Sequence, residues 1–97
     1  MITSKQRAHL RSIANTIEPI MIIGKDGIDD NVIKQAEDAI NAREIIKISI
    51  LKNSDASISP RSACNLICEK IGAEPVQVIG NKFIIYKRSE ENPKIIL

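Results

Sequence analysis

The sequence predicts a mixed α/β domain: three main helices on a compact four-stranded mixed sheet, in the order αβαβαββ. Three observations lead there. Apolar residues recur at helical spacing in three separate segments. Four short segments between and after them are apolar throughout or alternate. Capping residues, glycines and prolines divide the two kinds of segment at the places where elements start and stop. At 97 residues the chain reads as a single domain, 1–97, without linker, repeat or low-complexity stretch. That length buries roughly two-thirds of the surface of the unfolded chain, enough for a core without staples.

Thr3 followed by Gln6 forms a capping-box pattern, and Leu10, Ile13, Ala14 and Ile17 then recur on one face. A helix over about 4–17 follows, stopped by Pro19. "IMII" (20–23) is apolar on both faces, which suits a strand covered on both sides. Asp29 or Asp30 caps a second helix, with Val32, Ile33, Ala36 and Ile40 as its buried stripe. "EIIKISILK" (44–52) alternates, placing Ile46, Ile48 and Ile50 opposite Lys47 and Ser49. After the loop "NSDASIS", Ser59 caps a third helix with Pro60 in its first turn, and Gly72 ends it. "PVQVI" and "KFIIY" flank Gly80-Asn81, a two-residue connection with glycine first, as a type II′ hairpin turn requires. The tail "SEENPKIIL" has no periodicity and is expected to run over the surface. The strand–helix–strand units favour parallel pairing, the hairpin adds an antiparallel pair, and strand order stays open.

Composition narrows function by exclusion. Fourteen basic and twelve acidic residues give a net charge of +2, so charge placement matters more than its total. Cys64 and Cys68 stand four apart without a ligand-rich neighbour, unlike zinc spacings, and read as reduced packing thiols. No apolar run approaches the ~20 residues of a membrane span. The opening "MITSKQRAHLR" lacks the apolar centre of a signal peptide, which points to a cytoplasmic protein. No nucleophile–base pair, carboxylate pair or metal cluster marks a catalytic site, so neither an enzyme nor a cofactor is expected.

"IIGKDGIDDN" (22–31) is the segment with binding potential. It leaves a strand's carboxyl end and enters a helix, where ligands of α/β sheets collect and where helix N–H groups are unpaired. Gly24 and Gly27 would let a phosphate approach the backbone, and Lys25 adds a charge at the tip. Asp26 works against this by repelling phosphate, and the spacing is neither a Walker loop nor a dinucleotide fingerprint. A sharp corner explains the glycines equally well. Basic residues lie elsewhere too. Arg7 and Arg11 are one turn apart beside the apolar stripe of the first helix, with Lys5 and His9 on its outer side. Lys82, Lys87 and Arg88 belong to the terminal hairpin. Lys47 interrupts the second strand, and a solubilising edge-strand lysine explains that as well as a binding role does. His9 has no acidic or cysteine partner and reads as an ordinary surface residue.

"TSKQRAHLRSIA", "EPIMIIGKDG", "REIIKISI" and "VQVIGNKFIIYKR", in this order and spacing, resemble the CRM-domain proteins (chloroplast RNA splicing and ribosome maturation). The chain is most similar to their single-domain bacterial YhbY-like branch, from about Thr3 through the tail "ENPKIIL". The loop alone is weakly specific; the joint occurrence of the four segments is highly specific. The resemblance implies a fold like the C-terminal domain of translation initiation factor three, with a glycine loop likened to that of KH domains. It implies RNA binding, and association with precursors of the large ribosomal subunit. The family's loop glycines fall on Gly24 and Gly27 and its loop lysine on Lys25. Its helical basic positions fall on Lys5, Arg7 and Arg11, and its strand lysine on Lys47. Three positions depart from the family by removing positive or adding negative charge: Glu18, Asp26 and Asn81.

The resulting expectation is a non-enzymatic, monomeric RNA-binding protein that meets rRNA through its backbone and shape, without a membrane or cofactor. Its RNA-binding set is Lys5, Arg7, Arg11, Gly24, Lys25, Gly27, Lys47, Lys82, Lys87 and Arg88. Phe83 and Tyr86 fall on opposite faces of one strand, so they cannot form a base-stacking platform. Two other classes stay open: a module docking on a ribosomal protein, and a small sensor or enzyme holding a free nucleotide.

Overall fold

The computed structural model describes residues 2–24, 27–51 and 59–89, together with Pro93 and Ile95. Its elements are α1 (Ser4–Ala14), β1 (Pro19–Ile23), α2 (Asp30–Arg43), β2 (Ile45–Ile50), α3 (Pro60–Ile71), β3 (Glu74–Ile79) and β4 (Lys82–Tyr86). Local chemistry accounts for the helix starts. Thr3 Oγ1 accepts from Gln6 N and Gln6 Oε1 accepts from Thr3 N, completing the capping box. Asp29 accepts from Val32 N, and Ser59 accepts from Ser62 N ahead of Pro60. α1 ends at Ala14, three residues before the expected stop, because the chain tightens to i→i+3 bonds. Thr16 N and its hydroxyl both donate to the Ile13 carbonyl, and Ile17 N donates to Ala14. Ile17 still packs on the core.

The sheet order is β1-β2-β4-β3, with β1–β2 parallel and the other two pairs antiparallel. Gly80 has φ +56°, while Asn81 stays out of the left-handed region, the pattern of a II′ turn. The alternation of β2 separates two cores. Ile46, Ile48 and Ile50, with Phe83 and Ile85, face α2 and α3. Ile45, Ile84, Val76 and Tyr86 face Leu10 and Ala14 of α1. Phe83 and Tyr86 thus lie in different layers and both are buried. Cys64 and Cys68 are free, buried thiols on α3. The hydrogen bond that the Cys68 thiol donates to Cys64, and then burial, push it up. No helix of the described residues is long and apolar enough to cross a membrane.

Two expectations require correction. β1 is not covered on both sides. It is an edge strand whose Met21 and Ile23 face the α2–α3 core, while Ile20 and Ile22 are 37% and 65% exposed. The cause is the placement of α1, which contacts the half of the sheet around Ile45 and Tyr86 and leaves the half beyond uncovered. Lys47 does not guard an edge either, since β2 lies inside the sheet.

Glu44 is the residue the pattern concealed. It closes α2 at φ +66°, a left-handed conformation that a non-glycine residue adopts only with support. The support is visible. The Glu44 carbonyl accepts from Lys87 N at 2.8 Å, and its carboxylate accepts from Ser89 N at 2.9 Å and Ile95 N at 3.0 Å. Glu44 is only 1% exposed. The tail is therefore not merely draped on the surface: at Ser89 and Ile95 it is tied to a buried carboxylate, and Ile95 packs beside α1.

Glu44→Gln replaces one acceptor oxygen by a donor facing a backbone N–H, so it should cost about 2–3 kcal/mol, measured by urea unfolding. Tyr86 supplies a second readout. Burial, and then the Glu44 charge, raise its phenol above the usual value. The chain has no other tyrosine, so an absorbance titration reads it alone. The folded state holds this proton more tightly than the unfolded chain does. The associated stability is therefore present below about pH 10 and is lost as pH rises through the folded value. In Glu44→Gln, Tyr86 should ionise at lower pH than in the wild type.

Candidate nucleic-acid interface

The loop end of the sheet gathers the carboxyl ends of β1 and β2 and the β3–β4 turn. Leu51 N donates to the Ile23 carbonyl at 2.9 Å, and Ile50 N donates to the Asn81 carbonyl at 2.7 Å. Asn81 Nδ2 donates to the Ile50 carbonyl at 2.8 Å and to Ser49 Oγ at 3.3 Å. The asparagine that departs from the family pattern thus anchors the hairpin turn to β2.

The two loop glycines have different reasons. Gly27 N donates to the Gly24 carbonyl at 3.1 Å. Gly27 sits at φ +75°, where an L side chain is strained. Gly24 has no positive φ, and an added Cβ would meet no atom within 4 Å. Conformation explains Gly27 as a corner and leaves Gly24 unexplained by the fold. Lys25 and Asp26, between them, lie outside the described residues. The start of α2 is less hospitable to an anion than its position suggests. Asp29 takes the Val32 N–H, and Asp30 adds a second carboxylate in the first turn.

The basic candidates do not form one cluster. Lys82 is exposed at the hairpin turn, beside the loop end. Lys47 is half-buried one row further in, opposite Ile84. Lys5 and Arg11 are exposed on α1, which covers the far half of the same sheet face. Arg7 is drawn to the β3 edge, its Nε donating to the Pro75 carbonyl at 3.2 Å. There it lines a cleft of about 290 Å³ with Arg61, Asn65 and Gln77. Lys87 stands at the opposite end of β4, roughly 17 Å from Lys82 at strand spacing. Its ammonium donates to the Ile71 carbonyl at 3.0 Å, at the end of α3, and Arg88 follows it there. The loop end therefore holds Gly24, Gly27 and Lys82, with Lys47 behind them. Lys87 and Arg88 belong to the Glu44 end.

Sequence reasoning did not find the exposed aliphatic residues of this end. Ile22 is 65%, Ile79 51% and Leu51 49% exposed, beside the lysines. They look like core residues in sequence, and only the position of α1 reveals that they are not.

This geometry can be set beside known proteins. The model of the CRS1 / YhbY (CRM) domain matches residues 2–87. The chain is 40% identical over 97 residues to the Bacillus subtilis protein named Probable RNA-binding protein YqeI, covering 100% of this chain and 99% of that protein. It is 29% identical over 90 residues to a Haemophilus influenzae protein named RNA-binding protein, covering 93% and 89% of the two chains. The solution structure of the Staphylococcus aureus protein SAV1595 superposes with a TM-score of 0.82 at 42% identity, covering 100% and 99%. A family match over nearly the whole length, with the same fold in a close relative, places this chain in the CRS1 / YhbY (CRM) domain family.

Proposed function

We propose that this chain is a non-enzymatic, monomeric RNA-binding protein of the cytoplasm. It acts in ribosome assembly on precursors of the large subunit and contacts rRNA through backbone and shape. The observation that carries the reading is the loop end of the sheet. There a hydrogen-bonded glycine turn, an exposed lysine on the neighbouring hairpin and an uncovered sheet face adjoin one another. The names of the relatives support RNA as the ligand. The resemblance to the bacterial YhbY-like branch supports the ribosomal precursor. With both aromatics buried, sequence reading by base stacking has no platform, so phosphate contacts carry most of the affinity. Gly24, Gly27, Lys25, Lys82 and Lys47 form the primary set, and Lys5, Arg7 and Arg11 extend it along α1. Lys87 and Arg88 would meet RNA only if it reached around to the other end of the sheet.

Binding to a structured rRNA fragment should weaken steeply with salt, each phosphate contact adding roughly 0.7–0.9 to the slope. Lys82→Ala should reduce that slope by one such step, measured by filter binding at several salt concentrations. An unchanged slope would remove Lys82 from the interface.

The glycines separate corner from contact surface. Gly24→Ala should leave the melting temperature unchanged, because its methyl group meets no atom of the fold, and weaken RNA binding by obstructing approach to the backbone. Gly27→Ala should destabilise the fold by about 1 kcal/mol through its positive φ. If Gly24→Ala binds RNA like the wild type, the turn is a corner and nothing more.

A further inference from the structure

The pairing registers bring four residues of the loop end into one transverse row on the same sheet face. Ile22 lies opposite Ser49, Ser49 opposite Lys82, and Lys82 opposite Ile79. Behind it a second row runs through Lys47, Ile84 and Gln77. The faces agree with the core: Ile84 on this side packs toward α1, whereas Met21, Ile48 and Phe83 in the alternate positions pack toward α2 and α3. Ile22 and Ile79 stand about 14 Å apart at ordinary strand spacing. Each keeps half or more of its side chain in water. Between them are a hydroxyl and a lysine, and among the described residues of both rows there is no carboxylate.

We propose that this row seats the unpaired bases of single-stranded or looped-out RNA. The aliphatic side chains of Ile22 and Ile79 lie against base faces, and Lys82 holds the phosphate between them. The proposal rests on the RNA-binding reading above and specifies the class of RNA. Its physical basis is the mismatch between this surface and a duplex. A double helix presents phosphates, 2′-hydroxyls and groove edges, while its base faces are stacked away, so two exposed isoleucines gain nothing from it. An unpaired nucleotide offers an apolar face beside a negative charge, the complement of an isoleucine beside a lysine. A second copy of this chain fits less well. Two such faces brought together would oppose Lys82 and Lys47 to their counterparts, without a carboxylate in either row to compensate.

The test uses the whole chain and two RNA probes of equal length, a fully paired hairpin stem and an unstructured single strand, read by fluorescence anisotropy. Ile22→Thr and Ile79→Thr keep β-branching on exposed positions, so thermal melts should match the wild type. The double variant should lose about fivefold or more in affinity for the single strand, with its salt slope unchanged and its duplex affinity intact. Lys82→Ala should weaken both probes and lower both slopes. If the double variant binds both probes like the wild type while Lys82→Ala weakens them, the base seat is wrong and RNA binding stands. If the wild type binds neither probe, the RNA reading itself fails. If the wild type sediments as a dimer that Ile22→Thr dissolves, the row is a self-contact and the proposal is overturned.

Discussion

In the pairing of β2 with β4, Ile48 lies opposite Phe83 and Ser49 opposite Lys82. The side-chain period of a strand is two, so this register sorts both strands at once. Ile46, Ile48, Ile50, Phe83 and Ile85 go to the larger core, and Ile45, Ile84 and Tyr86 go to the smaller one under α1. A one-residue slip of β4 against β2 would turn Lys82 into the α2–α3 core and expose Phe83. Asn81 guards against that slip, because its amide bonds to β2 hold the hairpin turn in place. The same register that builds the core therefore sets which cations reach the surface, and at which end of the sheet.

The two ends of the sheet have opposite characters. At one, Glu44 is buried and gathers backbone N–H groups from the chain beyond β4, and Lys87 bonds to the end of α3. Polar groups there bond within the protein. At the other, β1 and β2 finish, the hairpin turns, α1 does not reach, and isoleucines and lysines face water. Polar groups engaged at one end and exposed apolar groups at the other divide the molecule into a structural pole and the proposed binding pole.

Much of this was legible in the sequence. The element order, the three helix caps, the glycine-first hairpin turn and the opposite burial of Phe83 and Tyr86 all follow from short-range rules. Those rules act within a few residues, which is why they transfer. What escaped depended on contacts distant in sequence. Ile20 and Ile22 look like core until the strand order puts β1 at an edge and α1 elsewhere. Lys47 looks like an edge lysine until β2 is found inside the sheet. Glu44 reads as the start of a strand, yet its left-handed backbone and buried carboxylate depend on Lys87, Ser89 and Ile95, more than forty residues away. The proposed binding set was legible as residue types and less so as a place. Gly24, Gly27 and Lys82 share one end, whereas Arg7 bonds to Pro75 at the β3 edge and Lys87 to Ile71.

Backbone amide shifts followed by NMR during titration with an rRNA fragment test the two-pole account most directly. Ile22, Gly24, Gly27, Ser49, Ile79 and Lys82 should move first and furthest, while Glu44, Lys87 and the α2–α3 face stay still. Shifts concentrated at Glu44, Lys87 and Arg88, with the glycine turn and the Ile22–Ile79 row unmoved, would contradict it.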